Sequence, residues 1–163
     1  MVAVANSHSA VVTLPTDEQI LITREFDAPN HLVYKAWTTP ELVKRWWHAN
    51  RGEATVADID LRVGGKWRSA MVTHDGFEVG FHGEYREIVP NERSVSTEVY
   101  EGAPDAGATL NTVTFIDVDG RTRLEQLVQC PSRDVRDAIL QSGMEDGLQD
   151  ALDLLELVAG SLA

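Results

Sequence analysis

SGMEDGLQDALDLLELV, residues 142–158, decides how the chain is read. Leu140 just ahead of it, then Met144, Leu148, Leu152 and Leu155, recur at helical spacing, with Ala151 and Val158 on the same side. That is one apolar stripe, the mark of a helix with one buried face. Glu145, Asp146, Asp150, Asp153 and Glu156 stand opposite. They read as a solvated face, with a docking face for a basic partner as the alternative. Gly143, Gly147 and Ala151, each four apart, run beside the stripe. A glycine inside a helix costs about 1 kcal/mol relative to alanine. The pair therefore needs a reason, either close approach of other backbone or room for a guest, and the stretch alone leaves both open.

Upstream, strand-like segments dominate. Residues 18–26 (EQILITREF) place Ile20 and Ile22 on one face and Leu21 and Thr23 on the other, and read as a strand. Pro29 opens a helix running to about Trp37, and Thr38-Thr39-Pro40 repeats the device for a second short helix ending near Trp46-Trp47. Adjacent tryptophans on a helix point about 100° apart. One packs inward and the other lies at the lip of the sheet, as a core staple or as closure of a pocket mouth. Residues 53–62, 66–73, 77–89, 93–100, 110–118 and 121–130 read as further strands, punctuated by Gly64-Gly65, Asp75-Gly76, Pro90-Asn91 and Asp119-Gly120. Val56 and Ile59 fall in different registers, which suggests a bulge. Gly83, mid-strand, suggests a bend or a close approach. Gln141-Ser142-Gly143 divides the final region into a short helix and a long one. Hairpin links require antiparallel pairing. The fold class expected is α+β, a strongly curved antiparallel sheet around a long C-terminal helix, with two short helices after the first strand. The space between sheet and helix is the natural place for a ligand.

At 163 residues the chain reads as one domain over 17–160, preceded by a loose leader over 1–16 that could add a strand to an edge. A formal net charge of −12 argues against nucleic acid and anionic membranes as partners, since both need a basic surface. No apolar run is long enough for membrane insertion, and the leader lacks the basic start of a signal peptide. The single cysteine, Cys130, permits no internal disulfide and suits a cytoplasmic setting. With no His near it in sequence, it reads as a small buried residue ending a strand rather than a catalytic thiol.

Four segments then carry a resemblance: PELVKRWW (40–47), DLRVGGKWRSAM (60–71), EYREIVPNERSVSTE (84–98) and the ending at 142–158. Together they resemble the START-like (SRPBCC) superfamily, in the branch named after the activator of the heat-shock-protein-90 ATPase, over nearly the whole domain. The resemblance implies the helix-grip fold with a hydrophobic cavity. The superfamily hosts ligand binders, cyclases and co-chaperone domains, so it does not select a function. His48-Ala49-Asn50-Arg51-Gly52 stands where relatives commonly continue the double tryptophan with Gly-Pro, which makes a borrowed substrate unsafe.

The residues offer little catalytic pattern. His8, His31, His48, His74 and His82 include no pair at metal-ligand spacing, and there is no Cys-x-x-Cys, phosphate loop or G-x-S-x-G, so neither metal nor cofactor is expected. His82 and Glu84 share one strand face and could form an acid/base pair. If Phe81, Gly83 and Tyr85 face the concave side, that pair faces solvent instead. No catalytic residue is assigned, and the chain reads as a binder rather than an enzyme. The expected role is holding a small lipid- or polyketide-like hydrophobic molecule, lined by Trp47, Trp67, Met71, Phe81, Tyr85, Phe115, Met144 and Leu148, with Gln126 as a polar contact. A cyclase- or hydrolase-type enzyme acting on a hydrophobic substrate is the alternative, and would need a buried ionisable or phenolic group in the cavity. A chaperone-binding domain with a role in stress response ranks last. Homodimerisation is left open.

Overall fold

The computed structural model describes residues 9–163, so the first eight residues of the leader lie outside it. Alternation and turns set the strands: β1 (Val11–Thr13), β2 (Gln19–Phe26), β3 (Gly52–Ile59), β4 (Lys66–Thr73), β5 (Glu78–Val89), β6 (Arg93–Tyr100), β7 (Thr109–Val118) and β8 (Arg121–Gln129). They form one antiparallel sheet in the order β1-β2-β8-β7-β6-β5-β4-β3. The end of the leader is thus an edge strand paired to β2, with Val12 opposite Ile22. The register shifts between Ala54 and Val56 on β3 and between Tyr85 and Glu87 on β5, and such bulges bend and twist the strands that carry them. At Gly83 a Cβ would stand 1.7 Å from the carbonyl oxygen of Thr97. Glycine there is required by the close approach of β6.

Pro29 caps α1 (Asn30–Thr38), and Thr39 precedes α2 (Pro40–Val43), which has Pro40 in its first turn. The second helix stops earlier than its sequence suggests. From Arg45 on, tighter bonds take over, Arg45 N–H donating to Leu42 O and Trp46 N–H to Val43 O. The turn closes through Ala49 and Asn50, both at positive φ. The cause is tertiary: Trp46 has to stack on Trp37, with ring centroids 5.1 Å apart, and give its indole N–H to Ala36 O at 3.0 Å.

Ser132 caps α3 (Arg133–Gln141) by accepting from Val135 N–H. Gly143, at φ +81° with open space where a Cβ would be, separates it from α4 (Met144–Ser161). The two glycines of the opening motif therefore have different reasons. Gly143 is a left-handed joint between helices. Gly147 lies under the Arg51 guanidinium, which a Cβ would meet at an ordinary 3.9 Å. Neither touches packed backbone, and neither lines a hollow.

On β2 the buried residues are Ile20, Ile22, Arg24 and Phe26. Against them and α1 lie Ala151, Leu152, Leu155, Val158 and Ala159 of α4. Fully burying Leu152 and Leu155 contributes about 1.5–3 kcal/mol each. Arg24, 2% exposed, donates from Nη1 to Asp153 Oδ1 at 2.7 Å, with Nη2 3.6 Å from Glu156 Oε1 and the guanidinium 5.1 Å from the Phe26 ring centroid. Glu156 also accepts from Asp27 N–H, and Asp150 accepts from Arg51. Three of the five helix acids thus bind this chain's own donors, where sequence pattern pointed to a merely solvated face.

Two outcomes follow for unfolding in urea. Asp153→Asn with Glu156→Gln strands a buried guanidinium and should cost about 3–5 kcal/mol. The same double change in an Arg24→Met chain should cost under about 1 kcal/mol, because no buried charge is left unpaired. Gly143→Ala should cost about 1–2 kcal/mol through its left-handed backbone, while Gly147→Ala should gain about 0.5–1 kcal/mol as an ordinary helix substitution.

Candidate functional site

Residues directly opposite each other on neighbouring strands share a sheet face. Tyr85 pairs with Ser96, Ser96 with Asn111, Asn111 with Val128 and Val128 with Ile20, so all five lie on the concave side. The next row runs Ser94, Val113, Gln126, Ile22. The first row changes character along its length, polar at Tyr85, Ser96 and Asn111 and apolar at Val128 and Ile20; the second runs from polar Ser94 to apolar Ile22 with Val113 and Gln126 between. α4 covers the apolar end. It is tied there by Arg24 and by Gln149, which exchanges two hydrogen bonds with the backbone of Ala10. The polar end is covered by α1, α2 and the turn after them.

Beneath that second cover is a hollow of about 100 Å³. Its roof is Trp37, Val43, Trp46 and Trp47; its floor includes Trp67, Tyr85, Ser96, Glu98, Asn111 and Gln126. Trp46 is held by its stacking and its hydrogen bond. Trp47 is half-buried and meets Phe81 edge-on at 5.9 Å, and Phe81 packs on the exposed Tyr100 at 5.2 Å. These three rings form the mouth. Trp67 reaches across Gly83 and donates its indole N–H to Thr97 O at 3.2 Å. A larger volume, about 460 Å³, lies outside, where Pro40, Asp58, Asp60 and Lys66 border an open surface depression. Being solvated and carboxylate-lined, it lacks the enclosure that makes burial favourable.

Two polar atoms near the hollow lack a partner. Asn111 Oδ1 on its floor and Tyr34 Oη on α1 are buried with no hydrogen-bond partner. Tyr34 stands edge-on to Phe115 at 5.5 Å. Burial, with a smaller contribution from Tyr34, pushes Tyr85 up to about 12, so it stays a neutral phenol. Burial also raises Glu98 above the usual carboxylate range, opposed in part by a hydrogen bond from Asn111. Glu98 retains some accessible area, but it borders the hollow.

Of the residues expected to line a site, Trp47, Trp67, Tyr85 and Gln126 come together here. Phe81 stands at the mouth, and Phe115 is core beneath Tyr34 and Trp37. Met71 is half-buried further along β4, opposite Ala54 and Val79. Met144 and Leu148 pack on the core from α4 rather than bordering the hollow. The hollow therefore lies under the short helices, not under the C-terminal helix as the sequence suggested, because α4 sits flush on the apolar half of the sheet. Ser94, Ser96, Glu98 and Asn111 escaped the sequence reading. The one signal was the spacing Ser94-x-Ser96-x-Glu98, which places them on one face without saying which face is inside. His82 is exposed and bonds Glu101 at 2.9 Å rather than Glu84. Glu101 also takes two hydrogen bonds from Arg68 and is held down at about 2, chiefly by Arg68 and then His82. This cluster is on the outside of the sheet. Cys130 is buried, and burial raises its thiol. Among the described residues no group of three His, Cys, Asp or Glu is placed to hold a metal, and no helix is long and apolar enough to cross a membrane.

A curved antiparallel sheet holding a C-terminal helix, with a partly enclosed hollow on its concave side, defines a START-like helix-grip protein. The chain belongs to the family described as "Activator of Hsp90 ATPase homolog 1-like protein", whose model matches residues 27–160. Solved structures agree. A protein from Rhodobacter sphaeroides superposes with a TM-score of 0.87 at 24% identity, covering 94% of this chain and 99% of that one. A protein from Chromobacterium violaceum gives 0.77 at 26% identity, covering 88% and 98%. One from Rhizobium leguminosarum gives 0.65 at 31% identity, covering 94% and 97%. No curated protein matches the sequence.

Glu98 carries a stability consequence. Its folded-state value is raised, so the native chain holds this proton more tightly than the unfolded chain. The two differ in bound protons only between the unfolded value, about 4.3, and the raised native one; across that window stability falls as pH rises. Glu98→Gln removes the penalty and keeps an acceptor for Asn111. Its melting temperature should exceed that of the parent at neutral pH, and the gain should vanish near about pH 4.

Proposed function

We propose that this protein binds a small, largely apolar molecule in the hollow beneath Trp37, Trp46 and Trp47. The observation that carries this reading is a partly enclosed space with an aromatic roof, bordered by Asn111, whose amide oxygen the protein leaves unpartnered. A chain evolved only to fill its core would not leave that oxygen unmet, since such an atom costs about 1–3 kcal/mol. As it stands, the hollow has room for about three waters at ~30 Å³ each. A lipid- or polyketide-like ligand needs more, about 300–1,000 Å³. Trp47 is the group placed to yield, because it is half-buried and rests on a mobile type of contact, ring edge to ring face, at the mouth. Apolar area buried at about 25 cal/mol per Å² would drive uptake without any charge pairing.

A second reading has its own observation. Glu98 is an ionisable group bordering a largely uncharged hollow, and burial raises it above the usual carboxylate range, the kind of shift that suits proton transfer. That keeps an enzyme acting on a hydrophobic substrate in play. The binder reading ranks first because no nucleophile-and-base pair accompanies Glu98 among the residues around the hollow.

The test uses N-phenyl-1-naphthylamine, a neutral fluorophore that brightens in apolar surroundings. The wild-type chain is expected to take it up with quenching of tryptophan emission. Ser96→Phe, which fills the floor, should abolish uptake while the far-UV circular dichroism stays unchanged. Leu148→Trp, on α4 and away from the hollow, should leave uptake intact. Uptake that survives Ser96→Phe but is lost in Leu148→Trp would move the site back under α4 and sink this placement.

A further inference from the structure

Reading the hollow as a ligand site raises the question of what its floor selects. Asn111 is 5% exposed, borders the hollow, and has an amide oxygen without a partner. Diagonally across from it on β6, beside its direct partner Ser96, is Glu98, to which the amide also hydrogen-bonds. Glu98 and Asn111 therefore present one carboxyl and one unmet amide end to the same small space. We propose that Glu98 and Asn111 form a hydroxyl-recognition site, taking the O–H of an uncharged, otherwise apolar molecule whose body packs against the indoles above.

The chemistry selects a hydroxyl over its competitors. Burial favours the protonated form of Glu98; in that form its O–H donates, and the free end of Asn111 needs a partner of its own. A single hydroxyl oxygen accepts from the carboxyl and donates to the amide oxygen at once. If the amide is turned over, the same hydroxyl accepts from its N–H, so both orientations are satisfied. A ketone can accept but leaves Asn111 Oδ1 unmet. A carboxylate brings a charge into a space with no cation to balance it: the roof gives indoles and Val43, and β3, β4, β7 and β8 give no ionisable side chain. The other titratable group bordering the space is Tyr85 on β5, which is neutral throughout the accessible range. Tyr34 on α1, behind it, is likewise raised by burial. Titration of the site is therefore titration of Glu98. As pH rises through its raised value, the donor is lost, a charge appears beside the ligand, and affinity falls.

This inference rests on the hollow being a ligand site, and the probes are chosen to separate the two. Naphthalene, 2-naphthol and 2-naphthoate share one ring system and differ in the group offered to the floor. Binding is measured by tryptophan quenching and calorimetry from about pH 4 to about pH 8, a range spanning the ordinary carboxylate value and well above it. Expected is a preference of about tenfold for 2-naphthol over naphthalene at the acid end, one good hydrogen bond's worth, with 2-naphthoate weakest of the three above about pH 6, where it is ionised. The preference should fade as pH rises. Glu98→Gln keeps an N–H donor, so it should keep the preference and lose its pH dependence, which a merely structural role for Glu98 would not produce. Asn111→Leu should lose the preference, so that naphthalene and 2-naphthol bind alike. Equal binding of naphthalene and 2-naphthol, or an unchanged pH profile in Glu98→Gln, overturns the hydroxyl site and leaves the hollow as a plain apolar one. Failure of all three probes to bind overturns both.

Discussion

A guanidinium sealed from solvent ties the C-terminal helix to the sheet. Taking a charge such as Arg24 out of water costs several kcal/mol unless its partners are well placed. The chain meets that condition with Asp153, Glu156 and the face of Phe26. Because the acids sit one residue after Leu152 and Leu155, satisfying the guanidinium also sets the rotation of α4 about its axis. The leucines are then turned into the core, and the helix cannot slide along β2 without unpairing a buried charge. Gln149 and the backbone of Ala10 fix it a turn earlier. The left-handed joint at Gly143 lets α3 leave in another direction, so α4 is placed by the sheet rather than by its predecessor.

With α4 committed to β2 and β8, the other half of the concave face needs a different cover. The cross-strand rows run from Ile20 and Ile22 to Tyr85 and Ser94, apolar to polar. The long helix has only an apolar stripe to offer and suits one end of them. The tryptophan-bearing turn suits the other, because indoles pack over a mixed surface while their N–H groups find backbone carbonyls, Ala36 O for Trp46 and Thr97 O for Trp67. The cover does not satisfy every polar atom below it. That mismatch, rather than any recognisable motif, is what marks the candidate site.

Much of the fold was legible because its signals are local. The limits of β4 and β6 follow from alternation and from the turns flanking them; the phases of Val56 and Ile59 imply a bulge on β3, but it falls earlier, between Ala54 and Val56. The site was legible only where a residue is large and its strand phase unambiguous, as at Trp67 and Tyr85. The spacing of Ser94, Ser96 and Glu98 sets one face of the strand apart without saying which face is inside. Both faces of β6 are in fact partly covered, and the pairing of Ser96 with Tyr85 puts the polar set inside. Likewise Asp153 and Glu156 look solvated on a helical wheel, because the wheel knows nothing of an arginine more than a hundred residues earlier.

Periodicity, capping and turn chemistry act over a few residues. They alone determined the antiparallel strands, the two short helices opened by prolines, the long amphipathic helix and the break at Gly143. Tertiary structure decided what no local rule can reach: which face of β6 is buried, where α2 gives way so that Trp46 can stack on Trp37, and which half of the sheet α4 occupies. The reason is that each depends on a contact between distant segments, and the energy of a buried charge, an unmet amide or a stacked indole exists only once those segments have met.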